Sequence, residues 1–147
     1  MEQKFKVFLE KNDEIFTFLK NEVRDYNNQH SVHHREARKQ GSVQPINIIV
    51  SDGNEQWVGG ITAEVYWDWV EITWFWLSED FRGKGLGSSL IRKTEELAEE
   101  MGATKAIVTT FEFQARSFYA LKGYEVVGEV KGYPPGSSYY TMVKSLE

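Results

Sequence analysis

Between residues 82 and 89 the chain reads Arg82-Gly83-Lys84-Gly85-Leu86-Gly87-Ser88-Ser89. The run lies between a strand-like segment and a stretch whose apolar residues recur at helical spacing. Its glycines allow sharp turns and a close approach of the backbone to a ligand. The first turn of the following helix leaves N–H groups unpaired at the positive end of the helix dipole, which suits a phosphate group. The loop therefore predicts a phosphate site, although an ordinary strand-to-helix turn would use the same glycines.

Two well-known nucleotide-binding loops fit this spacing poorly. A P-loop requires Gly-Lys followed by Ser or Thr, whereas Gly85 follows Lys84 here. The dinucleotide fingerprint requires glycine at its first, third and sixth positions, and the sixth position counted from Gly83 is Ser88. A nucleotide-binding regulator is therefore the weaker interpretation, and it predicts binding of ATP or NAD.

Periodicity on both sides of the loop predicts an α/β (α+β) chain. Strands are predicted at residues 4–9, 46–50, 57–66, 70–77, 106–111, 124–130 and 139–143. Helices are predicted from Asn12 or Asp13 along an apolar stripe to Val23, at residues 86–101 and 114–122, with a short one at 32–39. The β-α-β-α order of the second half predicts helices on a partly parallel sheet, and the hairpins beside it make the sheet mixed.

Length and composition limit the class of protein. The 147 residues suit one domain, residues 1–147, with a core of its own. The absence of cysteine excludes a disulfide framework and a Cys nucleophile, and the net charge of −5 argues against a nucleic-acid partner. No segment resembles a signal peptide or a membrane span, so we expect a cytoplasmic location and no membrane partner. His30, His33 and His34 have no carboxylate at ligand spacing, so we expect no metal.

The charge is unevenly distributed. Residues 46–81 contain seven acidic residues, all five tryptophans and no Lys or Arg. Strands favour aromatic residues and hairpin tips collect Asp and Glu, which would explain the pattern without any function. Alternatively, an acidic and aromatic region suits a cationic amine as a ligand.

The loop and a second motif together resemble the GNAT superfamily of N-acetyltransferases. Arg82, Gly85 and Gly87 match the family's acetyl-CoA loop, Arg/Gln-x-x-Gly-x-Gly/Ala. The segment Phe118-Tyr119-Ala120-Leu121-Lys122-Gly123-Tyr124 resembles the family's Phe-Tyr-x-x-x-Gly-Phe/Tyr at its last helix. The resemblance implies a single-domain GNAT-like fold. Its mixed sheet of about six to seven strands would be flanked by helices and splayed between the fourth and fifth strands.

The resemblance also implies the residues that would hold acetyl-CoA as cosubstrate. The pantetheine arm would enter the splay and pair with main chain near Trp76 and Leu77. The pyrophosphate would lie on the loop amides, and polar side chains of the last helix would line the other side. The implied loop and helix residues are Arg82, Gly83, Lys84, Gly85, Leu86, Gly87, Ser88, Gln114, Ser117 and Phe118. Glu112 occupies the position at which the family often has a CoA-contacting Asn, so this contact departs from the pattern.

Two side chains are candidates for proton transfer. By resemblance, Tyr119 would donate a proton to the departing CoA thiolate, although a half-buried helix tyrosine with any nearby acceptor would look the same in sequence. A base must deprotonate the amine acceptor, and Glu71 is the first candidate because period two places it on one strand face with Phe75 and Leu77. Glu64 on the preceding strand is the second candidate, and either carboxylate would also suit a solvated strand.

The function that this resemblance implies is transfer of an acetyl group from acetyl-CoA to a primary amine of a small molecule or peptide. Because the chain has no cysteine for an acetyl relay, we expect direct transfer in a ternary complex. A CoA-binding sensor of the same fold is the alternative. The aromatic C-terminal strands could pair two copies as a homodimer.

Overall fold

The computed structural model describes residues 2–37, 39 and 41–147. The chain divides into two compact units, Met1–Lys39 and Gln40–Glu147. Within the described ranges, no helix is both long and apolar enough to cross a membrane.

The first unit contains two helices, α1 at Asp13–His30 and α2 at Val32–Ala37. Helix α1 begins where the sequence predicts, because the Asn12 side chain caps it and accepts a hydrogen bond of 3.0 Å from the Ile15 amide. Helix α2 ends at Ala37, before the predicted residue 39. The strand predicted at residues 4–9 is wrong: these residues form no ladder, and Phe5 and Leu9 are exposed. Alternation alone does not make a strand when no neighbouring strand satisfies its backbone groups.

The second unit is a six-stranded mixed sheet with two helices. The strands are β1 at Gln44–Ser51, β2 at Trp57–Tyr66, β3 at Trp69–Leu77, β4 at Lys105–Phe111, β5 at Glu125–Lys131 and β6 at Ser138–Ser145. Helix α3 at Leu86–Glu100 connects β3 to β4, and helix α4 at Arg116–Leu121 connects β4 to β5. The sheet order is β1-β2-β3-β4-β6-β5, and only β3 and β4 are parallel. The predicted mixed sheet is therefore confirmed with six strands, open at β1 and β5.

Helix α3 buries one apolar face against the sheet. Leu90, Ile91, Thr94 and Ala98 are all buried, at the spacing of a single helical stripe. The Thr94 hydroxyl, which is also buried, donates to the Leu90 carbonyl at 2.8 Å and so satisfies itself within the helix. This packing fixes the start of α3, and with it the glycine loop, relative to the end of β3.

A polar cluster fixes the middle of α3. The buried Glu95 carboxylate accepts hydrogen bonds from the Tyr124 hydroxyl at 2.8 Å and from the Lys144 ammonium at 2.9 and 3.0 Å. A buried carboxylate needs such partners because its desolvation is otherwise costly. The cluster joins α3 to the residue that precedes β5 and to β6.

A β-bulge interrupts the pairing of β2 with β3. Ala63 faces Ile72, but Thr62 faces Trp74, so Thr73 is one extra residue in β3. The Thr73 hydroxyl lies 2.7 Å from the Thr62 hydroxyl and donates to the Thr62 carbonyl at 3.0 Å. An extra residue reverses the side-chain alternation beyond it.

The bulge corrects the predicted face of Glu71. Phe75 pairs with the buried Ile61, as Ile72 pairs with the buried Ala63, so Phe75 lies on the core face together with Ile72. Glu71 pairs with Glu64 and points to the opposite face. The prediction that Glu71 shares a face with Phe75 and Leu77 is therefore wrong, because strict period two fails at a bulge.

The parallel ladder between β3 and β4 is short. It joins Trp69 to Lys105, Val70 to Ala106, Glu71 to Ile107 and Ile72 to Val108, and it ends there. Beyond Ile72, β3 continues to Leu77 without pairing to β4, while β4 pairs with β6 as far as Phe111. The two strands that form the only parallel pair are therefore splayed at their carboxyl ends.

Candidate active site

The glycine loop has the backbone that the sequence predicts for a phosphate-binding turn. Gly83 and Gly85 adopt the left-handed conformation with φ of 73° and 81°, which disfavours any residue with a Cβ. Gly85 is the N-cap of α3, and no side chain caps this end of the helix. The amides of the first turn therefore face the loop without a side-chain acceptor.

Arg82 connects this loop to the end of β3. Its Nε donates to the Leu77 carbonyl at 2.8 Å, so the guanidinium is held beside the last residue of the strand. The neighbouring Lys84 lies differently, because its ammonium sits 5.8 Å from the centre of the Phe81 ring. Of the two basic residues predicted to favour phosphate, Arg82 is the one that the structure places at the strand end.

A cleft of about 640 Å³ opens beside the loop, and we call it the glycine-loop cleft. Its lining residues are Phe75, Trp76, Leu77, Arg82, Gly83, Gly85, Gly87, Ser88, Phe113, Gln114, Ala115, Phe118, Leu121 and Lys122. Nine of the twelve predicted cofactor-binding residues are in this set. Lys84, Leu86 and Ser117 are not among the lining residues.

Gly87 allows the loop to approach both walls of this cleft. A Cβ on Gly87 would lie 3.4 Å from Phe118 Cε1, 3.4 Å from Phe75 Cζ and 3.5 Å from Leu77 Cδ1. The Phe75 and Phe118 rings contact each other with centroids 5.5 Å apart. A larger side chain at Gly87 would therefore push into the point at which β3, α3 and α4 meet.

A second cleft, of about 510 Å³, occupies the splay itself, and we call it the Glu71 cleft. It is lined by Glu71, Ile72, Thr73, Trp74, Phe75, Val108, Thr109, Thr110, Phe111, Gln114, Ala115, Tyr119 and Tyr139. Phe75, Gln114 and Ala115 line both clefts. The two clefts therefore meet between β3 and β4.

The structure separates the two candidate bases. Glu71 is half-buried and lines the Glu71 cleft, whereas Glu64 is exposed and is not among the lining residues. The Tyr66 hydroxyl donates to Glu71 Oε1 at 3.3 Å. Burial, together with the Glu71 charge, raises the pKa of Tyr66, so this phenol stays a neutral donor to the carboxylate.

Tyr119 lies in the same cleft as Glu71. Its side chain is only 3% exposed, and burial raises its pKa above the ordinary value of 10.0, so the phenol is protonated at neutral pH. Rings of Phe75, Phe118 and Tyr124 surround it, with centroids 5.4 to 6.4 Å away. Within the described part of the chain, the hydroxyl makes no hydrogen bond, so its proton is available to a ligand in the cleft.

The two clefts differ in charge. Arg82 and Lys122 are the charged residues that line the glycine-loop cleft, whereas Glu71 is the charged residue among those that line the Glu71 cleft. An anionic group is favoured on the loop side and a cationic group on the other. The two clefts meet beside Phe75, Gln114 and Ala115, which line both, and we call this meeting point the slot.

Sequence reasoning missed the aromatic part of the Glu71 cleft. Trp74 and Tyr139 come from β3 and β6, and no short motif connects them. Glu112, which departs from the family's Asn, accepts a hydrogen bond from the Tyr140 hydroxyl and lines neither cleft. The run of aromatic residues near the C-terminus was a visible signal, but only the strand pairing shows which of them face the cleft.

The three histidines belong to the first unit. His34 Nδ1 is 2.8 Å from the Ser31 hydroxyl, and the His30 ring lies 4.2 Å from the Tyr26 ring. Across the described ranges, no three His, Asp or Glu side chains converge as a metal site requires.

Comparison with known proteins identifies the family. The sequence model of the acetyltransferase (GNAT) family matches residues 9–124, which is most of the chain. The chain is a member of the GNAT acetyltransferase family. The resemblance seen in the two motifs and the predicted mixed sheet are thereby confirmed.

Three relatives show how far this GNAT chain resembles proteins already described. It is 39% identical over 89 residues to the blasticidin-S acetyltransferase of Streptomyces morookaense, a match that covers 60% of this chain and 65% of the relative. An acetyltransferase of Bacillus cereus has a similar structure, with a TM-score of 0.82, 26% identity, and coverage of 95% of this chain and 97% of that chain.

The third relative shares the fold alone. It is a Bacillus anthracis protein assigned as a streptothricin acetyltransferase and solved with acetyl-CoA. Its TM-score is 0.62 at 20% identity, and the match covers 83% of this chain and 72% of that chain.

Proposed function

We propose that this GNAT member, as one domain, moves an acetyl group from acetyl-CoA to a primary amine by direct transfer in a ternary complex. The observation that carries the proposal is the meeting of two oppositely charged clefts between β3 and β4. Two substrates held on the two sides would meet at the slot, which is what direct transfer needs.

The glycine-loop cleft fits acetyl-CoA. Its left-handed glycines, uncapped helix amides and Arg82 suit the pyrophosphate, and Gly87 presents main chain without a side chain to the cleft. Beyond Ile72 the edge of β3 is not paired with β4, and its main-chain groups would be open to the pantetheine amides, apart from the Leu77 carbonyl that accepts from Arg82. Acetyl-CoA supplies a thioester, whose carbonyl accepts an amine nucleophile.

Glu71 and Tyr119 are the proposed proton carriers. The amine arrives protonated, and Glu71 takes its proton so that the nitrogen lone pair attacks the acetyl carbonyl carbon. The C–S bond then breaks, the electron pair stays on sulfur, and Tyr119 gives its proton to the thiolate. The nitrogen still carries one proton more than the amide product, and this proton passes to the Tyr119 phenolate and restores the phenol. The raised pKa of Tyr119 keeps it in the donating form before the step.

The proposed acceptor is a small-molecule amine rather than a peptide. The name of the Streptomyces relative supports this choice, because that protein is a blasticidin-S acetyltransferase. Blasticidin S is accordingly the first acceptor to test. The cleft that would hold it carries a carboxylate and aromatic side chains, which suits a cation.

Release of free CoA thiol from acetyl-CoA in the presence of primary amines tests the proposed function. We expect thiol release with blasticidin S or with other amines of a broad panel, and a mass increase of one acetyl group on the amine. Calorimetric binding of acetyl-CoA without release for any amine would contradict the enzyme and favour the CoA-binding sensor.

Replacing Glu71 tests the proposed base. An amine with a pKa near 10 is only about one part in 1000 unprotonated at pH 7, so Glu71→Gln should lower kcat/KM about 1000-fold at that pH. Without the base, kcat/KM should rise about tenfold per pH unit and approach the wild-type value near the pKa of the amine. Both are read from the pH profile of kcat/KM.

Glu64→Gln is the matched control, because Glu64 faces Glu71 on the next strand but does not line the cleft. It removes the same charge and should keep the wild-type profile. A wild-type pH profile of kcat/KM in Glu71→Gln would overturn the assignment of Glu71 as the base. A tenfold rise of kcat/KM per pH unit in Glu64→Gln would overturn it as well.

Replacing Tyr119 tests the proposed acid. Tyr119→Phe should lower kcat about 100-fold, with little change in the KM for acetyl-CoA, because only the proton donor is lost. The free energy of unfolding, measured in urea, should change by less than about 1 kcal/mol, because the Tyr119 hydroxyl makes no internal hydrogen bond within the described residues.

Tyr124→Phe is the contrasting variant, since that buried hydroxyl bonds Glu95. The Tyr124→Phe variant should have a lower free energy of unfolding than the wild type and an unchanged kcat. An unchanged kcat in Tyr119→Phe would remove Tyr119 from the reaction.

A further inference from the structure

The Glu71 cleft has two aromatic walls. Trp74 pairs with Thr62 and therefore lies on the same face of β3 as Glu71, where it is 79% exposed. On the other side, Phe111 of β4 pairs with Tyr139 of β6, and their rings are 4.7 Å apart. Both walls line the cleft, so a ligand beside Glu71 would lie between rings.

Two further rings adjoin the second wall. The Phe113 ring stacks on Phe111 at 5.5 Å with an interplanar angle of 9°, and the Tyr133 ring lies 5.7 Å from Tyr139. Phe113 and Tyr133 are both more than half exposed. Phe113 lines the glycine-loop cleft, so the aromatic surface that begins in the Glu71 cleft continues beyond it, and exposed apolar surface of this kind marks interaction sites.

The two aromatic walls are flat and uncharged, and the cleft that they border carries one carboxylate. Of the residues that line the Glu71 cleft, only Glu71 is charged, and it borders the same cleft as the rings. A flat ring gains stacking contacts with Trp74 and Tyr139, while an ammonium on the same molecule reaches Glu71. A flexible aliphatic amine would satisfy the carboxylate but would leave the ring faces without a matching surface.

We propose that the acceptor of this enzyme carries a flat unsaturated ring near its primary amine, and that Trp74 and Tyr139 select it by stacking. The inference rests on the proposed function and deepens it, because it names the class of acceptor. Trp74 and Tyr139 are specificity-determining residues here, and they take no part in proton transfer.

Matched amines test the inference with the full chain and acetyl-CoA. 2-Phenylethylamine and 2-cyclohexylethylamine have the same carbon skeleton and the same reach to nitrogen, and only the phenyl ring is flat. We expect kcat/KM to favour the phenyl amine by about 10-fold or more, since each stacking contact contributes roughly 3- to 10-fold. Benzylamine and cyclohexylmethylamine form a second pair with a shorter reach.

Variants assign the selectivity to the two rings. Trp74→Leu and Tyr139→Leu keep apolar side chains, and each should reduce the phenyl preference to about 3-fold or less. The preference is a ratio within one preparation, so it does not depend on the fraction of folded enzyme. Trp57→Leu removes another exposed tryptophan, one that lines neither cleft, and should keep the wild-type ratio.

The outcomes separate the two proposals. Acetylation of both amines at equal kcat/KM, or a ratio unchanged in both Leu variants, would overturn the flat-ring inference and leave the acetyltransferase intact. If thiol release in the wider panel occurs only with amines that lack a ring, the inference also fails. Absence of release with every amine would contradict the proposed function itself.

Discussion

The short parallel ladder between β3 and β4 is the constraint on which the site depends. It ends at Ile72 and Val108, and the next residue of β3, Thr73, is the extra residue of a bulge. The bulge bends β3 away from β4 and turns Phe75 onto the core face. One irregular residue thus separates the strands, frees a backbone edge and places Phe75 in the slot where both clefts meet.

The glycine loop and helix α4 complete the slot from the core side. Arg82 holds the loop to Leu77, and a Cβ on Gly87 would already be in van der Waals contact with Phe75 and Phe118. Tyr119, next in α4, is thereby buried where the clefts join. Phe75 and Phe118, which pack against the core, also line the clefts, so a change in core packing here would change the shape of the clefts.

The acidic, tryptophan-rich middle of the chain takes on a specific meaning in this fold. Glu71 and Trp74 lie on the face of β3 opposite the core, and Glu71 supplies the only charge among the residues that line its cleft. The basic loop residue Arg82 lines the cleft on the far side of the slot. Along the sequence, the acidic region ends at residue 81 and the basic loop begins at Arg82. In the fold, an acidic residue of the first region and a basic residue of the second line the two clefts that meet between β3 and β4.

Much of this arrangement follows from sequence, and what does not follow has a common physical cause. The loop, the order of the main elements and nine of the lining residues were predictable, because helix periodicity and glycine requirements are local. Thr73 looks like an ordinary strand residue, and its extra place appears only when β2 pairs with β3. The Phe111–Tyr139 wall likewise arises from cross-strand register. Residues 4–9 alternate as a strand does, but alternation cannot supply the neighbouring strand that a ladder requires.

Hydrogen exchange with and without acetyl-CoA tests most directly whether the splay is the binding slot. Amides in residues 73–77 and 83–89 should exchange more slowly when acetyl-CoA is present, because pantetheine and pyrophosphate would cover them. Residues 69–72, already paired to β4, should show little change. Unchanged exchange at residues 73–77 with saturating acetyl-CoA would contradict the account.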